Sequence, residues 1–103
     1  MVVKAGLAAM ALGTLSVEGR ADPAYGEYLS AECVTCHRAG AETGGIPPIA
    51  GLPQRYFIGA LRDYRAGRRA NPVMQSVARS LDDEQIAALA TYYQSLRPGE
   101  GDR

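Results

Sequence analysis

The stretch CVTCHRAG, residues 33–40, holds both cysteines of this 103-residue chain and its only histidine, as Cys33, Cys36 and His37. Two thiols and an imidazole so close together, with no others in the chain, point to one shared task. A structural zinc site closes on four protein ligands, and this motif supplies three. A thioredoxin-like dithiol sits beside a β-α-β unit, yet no alternating strand pattern occurs anywhere in the sequence. A disulfide across two intervening residues closes too small a loop to restrict the unfolded chain much.

The remaining chemistry is Cys-x-x-Cys-His, in which the thiols form thioether bonds to haem vinyl groups and the adjacent imidazole ligates iron. That reading uses Cys33, Cys36 and His37 together. It also answers a stability problem, because a domain this small is marginal on its own side chains. Burying a few hundred Å² of porphyrin at about 25 cal/mol per Å² is worth on the order of 10 kcal/mol, comparable to the whole stability of an ordinary domain.

Upstream, Lys4 precedes an apolar run from Ala5 to Val17 and then Gly19-Arg20-Ala21. The run is too short for a permanent span, and the small residues at Gly19 and Ala21 suit a peptidase site, so residues 1–21 are expected to be a signal peptide cleaved after Ala21. Residues 22–103 would then form one periplasmic domain. With 47% apolar and 21% charged residues the chain is of ordinary globular composition, and its zero formal charge excludes a general attraction to nucleic acid.

The periodicity predicts helices only. Asp22-Pro23 starts a first helix, with Tyr25, Tyr28, Leu29 and Cys36 on one face, which runs into the cysteine motif. Residues 39–53, AGAETGGIPPIAGLP, read as loop. Residues 54–66 place Phe57, Ala60, Leu61 and Tyr64 opposite Arg55 and Arg62, with Gly67 as the stop. RRANPVM is a second loop, leading to a short helix over 75–79. Asp82 and Gln85 make a capping box for a last helix, with Ile86, Leu89, Ala90, Tyr93 and Leu96 as its apolar stripe and Pro98-Gly99 as its end.

An iron held by His37 alone would keep an open face, whereas a second protein ligand favours electron transfer. Met1 and Met10 lie in the expected signal segment, which leaves Met74 as the candidate sixth ligand, behind Pro72 in NPVMQ. As a plain apolar residue Met74 would be core filling.

Taken together, the helix with Gly26 and Leu29 before CVTCH, the loop PPIAGL, the NPVM segment and the closing helix DDEQIAALATYY resemble a class I cytochrome c over residues 22–103. Within that family the chain is most similar to the cytochrome c4 and c553 type and to the cytochrome subunit of flavocytochrome c sulfide dehydrogenases. The resemblance implies an all-α fold of three to five helices and loops wrapped around one covalently attached haem c. It implies axial iron ligation by His37 and Met74, a Pro47 carbonyl accepting from the His37 ring, and Gly26 as the place where the first helix crosses the last near Tyr93, with Leu29 beside it. Tyr56 and Phe57 are candidates for the haem-pocket wall. Many relatives carry two haem domains, whereas this chain has one motif.

Six arginines between residues 55 and 79 face only Asp63 within that segment, and both flanks are acidic. Such a dipole would orient an acidic redox partner; as a solvated face it would do no more than neutralise haem propionates. The expected function is a periplasmic one-electron carrier without catalytic residues. The alternative is the electron-accepting subunit of a dehydrogenase with a flavoprotein or molybdoenzyme partner, oxidising sulfide or sulfite. A haem-based sensor or peroxidase would require that Met74 leave the iron free.

Overall fold

Asp22 caps the first helix by accepting the Ala24 amide at 3.0 Å, Pro23 occupies its first turn, and α1 runs Pro23–Leu29. This is a computed structural model describing residues 22–37 and 46–98; the expected signal segment, residues 38–45 with the start of the first loop, and residues 99–103 lie outside it. α1 stops short of the cysteine motif. The Ser30 hydroxyl donates to the Glu27 carbonyl at 2.7 Å, and the chain tightens into a 3₁₀ turn over Ser30–Glu32. The inward face also differs from the expected one. Gly26 and Ser30 are buried and Leu29 packs on the core, whereas Tyr28 is 76% exposed and stacks on Tyr25 at 6.4 Å. The last helix crosses at Gly26, and that contact rotates Tyr28 out to solvent.

α2 spans Gln54–Arg65 and buries Phe57 and Leu61; Gly67 follows with φ +82°, the left-handed geometry that ends a helix without a Cβ penalty. α3 spans Pro72–Arg79, three residues longer at its start than the sequence suggested. The reason is local: Asn71 accepts the Met74 amide at 2.9 Å and Pro72 stands in the first turn, so the helix begins at the proline. Met74 is therefore a first-turn helical residue.

α4 spans Asp83–Gln94 with both halves of the capping box made, Gln85 N to Asp82 Oδ1 at 2.8 Å and Asp82 N to Gln85 Oε1 at 2.9 Å. It ends at Gln94, before Pro98, and Ser95 covers the end by donating from its hydroxyl to the Tyr92 carbonyl at 2.6 Å. Leu96 lies past the helix.

α4 packs against both α1 and α2, and α3 packs on α2. Because two neighbours cover it, its buried set includes Ala88 as well as Ile86, Leu89, Ala90 and Tyr93, a wider band than a single stripe. Phe57, Leu61 and Ala78 complete the core. The architecture is all-α, as the sequence implied: four α-helices and one 3₁₀ turn, with no strand among the described residues. No helix among them is long and apolar enough to cross a membrane.

The α1–α4 crossing admits no side chain at Gly26. A Cβ there would collide with the Ala88 carbonyl oxygen and approach Tyr92 Cβ to 2.6 Å. The side-chain atom nearest the crossing is the Tyr92 Cβ, one residue before the expected Tyr93. Gly26→Ala should cost about 2–3 kcal/mol and lower Tm by about 10 °C or more, while Gly59→Ala, with nothing within 4 Å of the new methyl, should raise Tm slightly. Thermal unfolding of both variants checks the pair.

Candidate functional site

After the 3₁₀ turn the backbone keeps winding through the cysteine motif. Cys36 N donates to Cys33 O at 3.2 Å and His37 N to the same carbonyl at 2.8 Å. Residues three and four positions along such a turn share one side. Cys33, Cys36 and His37 are thus presented together, with Cys33 half-buried against the core and Cys36 exposed.

The imidazole is fixed in orientation. His37 Nδ1 lies 2.7 Å from the Pro47 carbonyl oxygen; a carbonyl can only accept, so Nδ1 carries the proton and Nε2 keeps a lone pair for a metal. The loop bearing Pro47 is tied to the far end of α4. Gly51 N donates to the Tyr93 carbonyl at 2.8 Å, Gln54 N to Gln94 Oε1 at 2.7 Å, and Gln54 Nε2 to Thr91 Oγ1 at 3.3 Å. Gly51 makes that approach with φ +86°.

Met74 is half-buried and packs on the core cluster that Cys33 also borders. Of the two candidates for a pocket wall, Phe57 lies in the core, stacked on Tyr93 at 5.6 Å, and Tyr56 is 52% exposed. Arg69, beside Tyr56, lies over the Tyr64 ring at 4.9 Å.

Tyr93 is fully buried, yet its hydroxyl reaches no partner with hydrogen-bond geometry. Ser30 and Cys33 nevertheless lie near enough to act on its titration: burial first, then the Cys33 thiol, raises the phenol above its usual range. Burial likewise pushes the Cys33 thiol up to about 11. One turn with two thiols, a tautomer-fixed imidazole, a buried tyrosine hydroxyl left unpaired in the core that Cys33 borders, and several half-buried apolar side chains around that core fit a covalently tethered haem.

These features define a small helical domain of the covalent-haem class. The family model for cytochrome c matches residues 23–97, and the chain belongs to the cytochrome c family, whose cofactor is haem c. It is 40% identical over 95 residues to a "thiosulfate dehydrogenase electron acceptor" of Thiomonas intermedia, covering 89% of this chain and 44% of that protein. It is 37% identical over 71 residues to cytochrome c4 of Pseudomonas aeruginosa, covering 62% of this chain and 35% of that one. With cytochrome c-554(548) of Halomonas halodenitrificans it shares 36% identity over 81 residues, which is 72% of this chain and 95% of the relative. The chain spans less than half the length of the first two. The similarity to the c4 type agrees with the resemblance seen in the motifs.

Several positioning residues escaped the sequence reading. Asn71 was legible, since Asn before Pro is a cap followed by a first-turn residue. Gln54 and Gln94 were not, because the bond between them spans 40 residues of chain with no local pattern.

The arginine-rich face is partly neutralised. Asp83 receives Arg65 at 2.7 Å and Arg62 at 3.6 Å, and Arg68 pairs with Asp63 at 2.8 Å. Arg65 also donates to the Leu81 carbonyl at 3.1 Å, so it joins the end of α2 to the start of α4. The Arg65 hydrogen bond, then the Arg62 charge, hold the Asp83 carboxyl below its ordinary 3.8. A depressed carboxylate stabilises the fold above its unfolded value and loses that contribution as pH falls through the lower folded value. Acid unfolding below about pH 4 should therefore be shallower in Asp83→Asn than in the unmodified chain, with the two stability curves offset by a constant above about pH 5; thermal melts across that range check it.

Proposed function

We propose that this chain is a periplasmic one-electron carrier with no catalytic residues of its own, exported by a signal segment over residues 1–21. The single observation behind the site assignment is the His37–Pro47 hydrogen bond at 2.7 Å, made from a turn that also presents Cys33 and Cys36. In this reading Cys33 and Cys36 tether the haem, His37 Nε2 binds iron on one side and Met74 on the other. The bound iron supplies reversible one-electron chemistry. The protein's share is positional. Pro47 fixes the imidazole tautomer, Asn71 and Pro72 fix the turn that carries Met74, and the core around Phe57 and Leu61 keeps water from the buried side of the site.

The names of the relatives favour a dehydrogenase of reduced sulfur compounds as electron donor, with thiosulfate the compound named for two of them. Sulfide-oxidising flavocytochromes and sulfite dehydrogenases belong to the same class of partner, and in either case this chain would serve as the electron-accepting subunit. Six arginines over residues 55–79 against Asp63 and Asp83 leave a net +4 by count on the α2–α3 side, which suits an acidic docking surface.

Met74→Ala should abolish the methionine–iron charge-transfer band of the oxidised protein and lower its reduction potential. An unchanged spectrum would favour the sensor or peroxidase reading. Electron-transfer rates with a purified thiosulfate dehydrogenase should fall steeply as ionic strength rises, since exposed charges are screened over about 10 Å at 0.1 M salt; a flat dependence would remove the arginine face from docking.

A further inference from the structure

Tyr93 is the largest fully buried side chain of the fold, and it ends in the one buried side-chain polar atom without a partner among the described residues. Leaving a buried hydroxyl unpaired is costly enough that native folds almost always avoid it. The ring has little freedom to turn away. It stacks on Phe57 at 5.6 Å and 19°, meets Tyr92 edge-on at 5.1 Å, and its own carbonyl is held by Gly51 N at 2.8 Å. Cys33 packs against the same core cluster, and Ser30 lies beside it. The Ser30 hydroxyl hydrogen is already committed to the Glu27 carbonyl at 2.7 Å, so toward Tyr93 it can only accept, and it is the competing acceptor that Ser30→Ala separates from Cys33.

A free thiol can donate weakly as well as accept, but a thioether sulfur has lone pairs alone. Once Cys33 carries the haem, as the reading above has it, the pair Tyr93–Cys33 has one donor and one acceptor. We propose that the Tyr93 hydroxyl is a positioning group for the cofactor tether: it donates a hydrogen bond to the Cys33 sulfur, and through that sulfur raises the reduction potential of the site. A hydrogen bond to the sulfur draws electron density away from the attached ring and so favours the reduced iron, the direction in which hydrogen bonds to sulfur ligands act at other iron centres. Phe57 and Tyr92 contribute by pinning the ring.

The test uses the holoprotein. Tyr93→Phe retains the stacking and deletes only the oxygen. The expected result is that pigment stays on the variant in acid–organic solvent while the ferrous-to-ferric ratio at fixed ambient potential falls about threefold, the size of a modest hydrogen bond, or about 28 mV at 59 mV per decade; Tm should fall as well. Ser30→Ala should leave the potential unchanged. Placing 3-fluorotyrosine at position 93, a stronger donor of nearly the same shape, should raise the potential, and this arm decides the matter if Tyr93→Phe yields no holoprotein. An unmoved potential in these position-93 variants, a rise in Tm for Tyr93→Phe, or a potential drop in Ser30→Ala matching that of Tyr93→Phe would overturn the proposal. Loss of pigment from the unmodified chain in the same solvent would instead overturn the tether reading itself.

Discussion

The bond from His37 Nδ1 to the Pro47 carbonyl is short in sequence, ten residues, but it is held in place from the other end of the molecule. A two-residue proline segment in a loop has no strand or helix ladder to fix it, so its position depends on what anchors the residues after it. Those anchors are Gly51 on the Tyr93 carbonyl and Gln54 on Gln94, both at the end of α4. α4 in turn is located by its crossing with α1 at Gly26, and α1 leads through the 3₁₀ turn into the cysteines. The imidazole thus sits inside a closed circuit of contacts, and each link constrains the next.

The electrostatics have a similar economy. Asp83 serves two purposes: it is an acidic residue in the first turn of α4, favourable to the helix dipole, and the acceptor for Arg65 and Arg62 from α2. These pairs are exposed and individually weak. Their value is directional, since two arginines share one carboxylate and the α2–α3 face keeps its positive charge while the start of α4 stays acidic.

How much of this could be read from the sequence depended on whether a signal was local. Asp82 with Gln85, Gly67 after α2, and Asp22-Pro23 before α1 are satisfied within a turn or so, and each does what its spacing implied. The cysteine motif was legible because ligand counting needs only residue types. Other features come from packing between distant segments. The inward face of α1 turned about Gly26 because α4 arrives there, leaving Tyr28 outside. Ala88 became core because two helices flank α4, and its carbonyl, with the Tyr92 Cβ, lies nearest Gly26. The orphan hydroxyl of Tyr93 is of the same kind: a tyrosine in an apolar stripe reads as bulk until its oxygen is placed.

The meeting of Gly26 with Ala88 has a consequence for the order of assembly. The two residues lie 62 positions apart in the chain; a helical protein whose ends must find each other has a topology closer to that of sheet proteins than to that of a helical hairpin, and its closure entropy must be met before the rewarding contacts form. The segment that aligns the ligand becomes rigid only after the last helix has docked. Until α4 docks, the turn carrying the two thiols and the imidazole lacks the contacts that fix it, and it stays accessible to whatever attaches the pigment.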